Sequence, residues 1–201
     1  MPPKIHALPN LTDGAVASSR RRLDRLQSAM GGLPPMRLIL GIDPGLHRTG
    51  YGLIDTVNPK SKIQNPKLVE AGVLRARASD PFPQRLESLY DGLCEVLEET
   101  RPDILVIEDL FSTYAHPRSA LLMAHARGVL MLAAQQAKVP VHHFTPNEVK
   151  QVVAGGGHAS KSTVQSAVKA RLHLAVAPDP PDVADALAIA LCFAMRQNTK
   201  G

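Results

Sequence analysis

A chain that runs Ile104, Leu105, Val106 and Ile107 in succession and then turns to Glu108 has few folds open to it. In an extended strand successive side chains point to opposite faces, so four apolar residues in a row need cover on both sides. Such a strand suits the middle of a sheet with helices packed on each face. The glutamate at its end is informative as well. A charge directly after a buried strand is unexpected unless the strand exits into a polar site.

The flanking sequence supplies the remaining layers. Arg37–Asp43 (RLILGID) is a short apolar run stopped by Pro44–Gly45, the pattern of a buried strand entering a turn. Thr49–Asp55 and Lys67–Leu74 read as two further strands, joined by a stretch rich in Pro, Asn and Lys. Three strands without intervening helices pair antiparallel. Leu86, Leu89, Leu93 and Leu97 predict a helix over 82–99, apolar along one face. Ser119–Lys138 reads as a long helix, apolar on almost every side, and Val141–Phe144 as a short strand. Thr145–Pro146–Asn147–Glu148 spells a capping box with proline at the first helical position. Gly155–Gly156–Gly157 ends that helix, Ser160 caps another to about His173, and a last helix runs from Pro180–Pro181 to about Arg196. A meander followed by βαβ crossovers predicts a mixed five-stranded α/β sheet with helices on both faces, strand four returning beside strand one. That is the RNase H-like architecture.

Functional groups gather at the carboxyl ends of parallel strands. Asp43 closes strand one and Glu108 closes strand four, so neighbouring parallel strands would set the two acids side by side. Asp182 and Asp185 open the last helix three residues apart, on one face. Each has an ordinary reading: acids in a first helical turn complement the helix dipole, and Asp before Pro–Gly commonly starts a turn. Together they predict a cation site. Carboxylates crowded in a low-dielectric setting repel, and a divalent ion reverses that balance. Mg²⁺ prefers such oxygen ligands, and two ions about 3.5–4 Å apart can activate water and stabilise the leaving oxygen of a phosphodiester.

Composition narrows the partners. The 201 residues are 44% hydrophobic, enough for a core. No apolar run approaches the roughly 18 residues of a membrane span. Cys94 and Cys192 lack metal-ligand spacing, which excludes a disulfide scaffold and predicts a reducing, cytoplasmic setting. The net charge is +5, of which residues 1–35 carry +3 and the remainder +2. That first segment, rich in Pro, Gly, Ser and Arg, is expected to be a disordered basic arm, with residues 36–201 forming the domain. Its Arg and Ser content also fits a mitochondrial-type presequence, against which Asp13 and Asp24 count, and a start at Met36 accounts for it equally well. Within the domain, residues 147–173 alone carry +3. There Lys150 and Lys161 are expected phosphate contacts, and His158 a further one. The glycine run is no phosphate loop, because no Gly-Lys-Ser/Thr follows it. Phe111 and Tyr114, in the segment just past Glu108, are candidates for stacking on bases, with core packing the alternative for Tyr114. Adjacent His142 and His143 face opposite sides of a strand and read as structural. The surplus apolar surface of the 119–138 helix fits either a core helix or a dimer interface.

Five segments carry a family resemblance: ILGIDPGLHRTGYGLI (39–54), VIEDLF (106–111), ARGVLMLAA (126–134), NEVKQVVAGGGHASK (147–161) and DVADALAIALC (182–192). They resemble, in order, the signature segments of the RuvC family of bacterial Holliday-junction resolvases. The resemblance implies an RNase H-like homodimer that nicks four-way DNA junctions symmetrically with Mg²⁺. It places the family's catalytic carboxylates on Asp43, Glu108, Asp182 and Asp185, where the third can be His in some members. It implies as well that Lys150 and Lys161 lie beside the active site, that Phe111 engages bases at the crossover, and that RuvA and RuvB branch-migration proteins are partners. Sugar-kinase and actin-like ATPases share an opening Gly-Ile-Asp-x-Gly strand but need a second such lobe, which the domain's 166 residues leave no room for. A non-catalytic junction-binding module would have no use for all four acids. Deleting residues 1–35 is expected to leave folding and junction cleavage intact and to weaken only salt-sensitive, nonspecific DNA affinity, which cleavage and binding assays at two salt concentrations check.

Overall fold

An antiparallel meander opens the sheet. It comprises β1 (Leu38–Asp43), β2 (Arg48–Asp55) and β3 (Lys67–Arg75). Helix α1 (Phe82–Thr100) then crosses to β4 (Ile104–Glu108), which lies parallel to β1, and α2 (Pro117–Gln136) leads to β5 (Val141–Phe144), parallel to β4. Three helices close the chain: α3 (Pro146–Ala154), α4 (Lys161–Arg171) and α5 (Pro181–Asn198). The strand order is β3–β2–β1–β4–β5, as the RNase H-like reading requires. The structure is a computed structural model, and it describes residues 38–56, 66–110 and 117–198. The expected arm, Phe111 and Tyr114 lie outside the described residues. Among those described, no helix is long and apolar enough to cross a membrane.

Strand periodicity sorts the core into two layers. Leu40 and Ile42 of β1, Leu53 of β2, and Leu105 and Ile107 of β4 pack against Leu89, Leu93 and Leu97 of α1 and against Ala126, Leu130 and Ala134 of α2. The alternate residues, Ile39, Ile54, Ile104 and Val106, pack on α5 and on Val149, Val153, Val164 and Val168 of α3 and α4. Asp43 follows Ile39 and Gly41 in step, and Glu108 follows Ile104 and Val106. Period two therefore assigns both acids to the α5 face. Only one side of α2 is taken up by this core, for Leu121 and Leu132 stand 63% and 50% exposed.

Local signals place the helix ends. Thr145 Oγ1 accepts from the Glu148 N–H at 3.3 Å while a Glu148 carboxylate oxygen accepts from the Thr145 N–H at 2.9 Å, completing the capping box. Ser160 Oγ accepts from the Thr163 N–H at 3.2 Å and starts α4 at Lys161. Helix α2 stops two residues earlier than its apolar pattern predicts, since Lys138 adopts a left-handed backbone (φ 59°).

The α5 face of the sheet is unusually shallow where α5 crosses it. A methyl group placed on Gly41 would sit 2.1 Å from the Ala186 carbonyl oxygen, and one on Gly50 would sit 2.0 Å from that of Asp182. Real side chains cannot approach a backbone so closely, so the two glycines let the helix rest on the strands themselves. Gly41→Ala is expected to cost at least about 2 kcal/mol, since the obstacle is backbone and cannot turn aside. Gly50→Ala is expected to lift the Asp182 turn off the sheet. Urea denaturation of both variants checks the first statement, and near-ultraviolet circular dichroism with junction cleavage the second.

Candidate active site

Asp43 and Glu108 end adjacent parallel strands, one step past the last registered pair Ile42–Ile107. The first turn of α5, seated on Gly50, brings Asp182 and Asp185 above them. The electrostatics show how near the four are. Burial, and after it the charges of Glu108, Asp185 and Asp182, push the Asp43 carboxyl up to about 8 against the pull of Lys161. Burial and Asp185 push Glu108 up to about 7, opposed by Lys150 and Lys161. Asp185 is raised by burial too, with Lys161 opposing. Near neutral pH this cluster holds a proton in place of a full set of charges.

Two cations stand against it. Lys161 Nζ, at the start of α4, is 3.6 Å from Asp185 Oδ2. Arg48 Nε, at the start of β2, is 3.3 Å from Asp182 Oδ2. That same Asp182 oxygen is buried and accepts no hydrogen bond. The turn between β1 and β2 is tied by the buried Thr49, whose hydroxyl donates to the Gly45 carbonyl at 2.9 Å and accepts the Gly45 N–H at 3.2 Å. Asp43 thus sits between a rigid strand and a pinned turn.

Among the described residues no three His, Cys, Asp or Glu side chains already stand at the spacing of a finished metal site. The donor chemistry nonetheless fits a hard divalent cation: four carboxylates with raised pKa values or an unsatisfied oxygen, close enough to shift one another. The described residues therefore bring Asp43, Glu108, Asp182, Asp185, Lys150 and Lys161 to one place. His158 is exposed in the turn after α3. His142 packs edge-on against Phe193 with ring centroids 5.1 Å apart, a structural part as expected.

Sequence reasoning missed two residues, Arg48 and Arg127. Arg127 is the one Lys or Arg between Ser119 and Ala137, a lone cation in an apolar helix, and that was the available signal. Its Nε donates to the Glu108 carbonyl at 3.0 Å. Arg48 left no comparable mark, because a charged residue opening a strand is commonplace.

The strand order, the two parallel strand ends and the helix laid across them define an RNase H-like domain. Its sequence narrows the class further. Residues 39–193 match the family described as Crossover junction endodeoxyribonuclease RuvC, and the chain belongs to that family. A relative of that name from Rhodopirellula baltica is 50% identical over 154 residues, spanning 77% of this chain and 84% of its own. The structure of Thermus thermophilus RuvC in complex with Holliday junction substrate superposes with a TM-score of 0.74 at 33% identity, covering 82% of this chain and 96% of that one. The yeast mitochondrial Holliday junction resolvase shares the fold, with a TM-score of 0.60 at 17% identity.

Burial of Asp43 makes a stability prediction. Its folded pKa of about 8 lies above the ordinary carboxyl value, so the folded state binds the extra proton and stability falls as pH rises from about 4 to about 8. In EDTA, Asp43→Asn is expected to melt at least about 3 °C above the parent at pH 8, and at nearly the same temperature at about pH 3, where Asp43 is largely neutral folded or unfolded. Thermal melts across that range check it.

Proposed function

We propose that this chain resolves four-way DNA junctions by paired, symmetric nicking of phosphodiester bonds during recombination and repair, with Asp43, Glu108, Asp182 and Asp185 holding Mg²⁺. The observation that carries the reading is the convergence of four carboxylates, from two strand ends and one helix start, with Lys150 and Lys161 close by. Two Mg²⁺ ions are the occupancy that phosphodiester chemistry asks of such a set. Bound there, they would supply an activated water and charge stabilisation for the leaving oxygen.

The protein's own groups do the rest. Asp43 and Glu108, fixed by parallel strands, present oxygens from below, while Asp182 and Asp185 present theirs from the helix. Lys161 and Lys150 offer cations to backbone phosphates beside the recess, with Lys161 exchanging its carboxylate partner for phosphate. Phe111 and Tyr114 serve the same reading as stacking groups, and His158, exposed nearby in sequence, as an outer phosphate contact. Residues 1–35, net +3, serve the same reading as a basic arm that adds salt-sensitive affinity for DNA.

A homodimer follows from the substrate's two-fold symmetry, each subunit presenting one site to one strand. The apolar surface that α2 leaves exposed at Leu121 and Leu132 supplies a surface for it. RuvA and RuvB branch-migration proteins are the partners the family resemblance implies, and the cytoplasm is the setting.

The test is a synthetic four-way junction, end-labelled, incubated with the protein across Mg²⁺ concentrations. Paired, ligatable nicks at symmetric positions are expected. Glu108→Gln and Asp43→Asn are expected to bind the junction at least as tightly as the parent while nicking falls at least about 100-fold, since a neutral amide is a poor ligand for a hard cation. Asp182→Asn is the milder case. Near-parental nicking by Glu108→Gln would overturn the reading.

A further inference from the structure

Glu108 is held from behind by a residue that never touches its carboxylate. Arg127, on α2, has a side chain only 15% exposed. Its Nε donates to the Glu108 carbonyl oxygen at 3.0 Å, and its Nη2 donates to Asp109 Oδ1 at 2.5 Å. The same Nη2 lies 2.7 Å from His143 Nδ1, on β5. A guanidinium nitrogen can only donate, so Nδ1 accepts this bond; burial first, and then the Arg127 charge, hold the His143 imidazole below its ordinary range. The Asp109 N–H donates in turn to the Phe144 carbonyl at 2.8 Å. One planar guanidinium thereby joins α2, β5 and the two residues at which β4 leaves the sheet.

The placement has a purpose that simple sheet cohesion does not need. Glu108 ends β4 beside Asp43 at the end of β1, so like charges crowd that strand end and put it under electrostatic pressure. A cation set against its carboxylate would relieve that pressure and also compete with a metal ion. Arg127 instead takes the backbone carbonyl and the next side chain, restraining the chain while leaving the acid available. A guanidinium suits the task because its donors are fixed in one plane and hold two acceptors in set directions, whereas an ammonium's donors rotate freely.

We propose that Arg127 is a positioning residue for Glu108, fixing the β4 exit so that the carboxylate faces Asp43, Asp182 and Asp185. The inference rests on the reading that Glu108 serves in metal-dependent cleavage. A side chain displaced by about 1 Å costs on the order of 100-fold in rate, which sets the scale of the effect.

The experiment compares Arg127→Gln, Arg127→Lys, Asp109→Ala and the Gln/Ala double variant with the full-length parent. It measures melting temperature, junction affinity, single-turnover nicking, and Mn²⁺ affinity without DNA by electron paramagnetic resonance. For Arg127→Gln, nicking is expected to fall about 10–100-fold with weakened Mn²⁺ binding, while junction affinity stays within about threefold, too little to signal a lost phosphate contact. Arg127→Lys recovers part of the rate, Asp109→Ala loses less, and the double variant is no worse than Arg127→Gln alone. In a Glu108→Gln background, Arg127→Gln leaves Mn²⁺ affinity unchanged. Nicking and Mn²⁺ binding at parental levels in Arg127→Gln would overturn the assignment, as would equal losses of nicking and junction affinity. Should Arg127→Gln not fold, unchanged nicking in both Arg127→Lys and Asp109→Ala would overturn it equally. An active Glu108→Gln protein would defeat the cleavage reading itself and is scored separately.

Discussion

Helix α5 rests on β1 and β2 with backbone against backbone, and the site depends on that contact. Helices usually ride on a sheet at a distance set by the side chains between them, with packed layers about 10 Å apart. Here Gly41 and Gly50 remove those side chains where the helix crosses. The first turn of α5 consequently reaches the level of the strand ends, and Asp182 and Asp185 come within electrostatic range of Asp43. The interior of α5 bears the same requirement. Ala186 and Ala190, buried and small, are the residues that meet Gly41 and keep the approach open on the helix side. A larger residue on either surface would separate the acids before it disturbed any of them directly.

The fold holds its acids together against their own repulsion, and it does so with covalent direction more than with counter-charges. Asp43 is fixed between a buried strand and the turn tied by Thr49, and Glu108 between its strand and the Arg127 bridge. The cations that do face the carboxylates, Lys161 and Arg48, are 78% and 51% exposed, so solvent screens them and they contribute little to stability. Their value lies in being easy to move. Cations held loosely at the rim of an acidic recess can leave when a more highly charged ion or a phosphate arrives.

Much of this was legible in the sequence because it was local. Asp43 and Glu108 announced themselves by ending apolar runs, Thr145 and Glu148 by their capping spacing, and the meander by three strands with no helix between them. The two-layer core followed from alternation alone. What escaped were contacts between residues far apart in the chain. Nothing around Gly41 says that its neighbour is Ala186, and a glycine inside a strand pattern reads as a bulge or a close approach of unknown partner. Arg127 was passed over because its acceptors are a backbone carbonyl and two side chains on other elements, which no periodicity encodes. His143 was read as structural, and its Arg127 partner was invisible for the same reason.

The shared parity of β1 and β4 makes this site sensitive to reading frame at the level of the protein. Removing one residue among 39–42 would turn Asp43 through half a pleat, away from α5 and into the apolar layer of Leu89, Leu93 and Leu130. The same holds for one residue among 104–107 and Glu108. Removing two would restore the face but withdraw the carboxylate by about 6–7 Å along the strand. Substitutions in these strands can be absorbed by repacking, and length changes in the connections by the turns. Within the two strands themselves, length is the quantity that the chemistry demands, whatever apolar residues fill it.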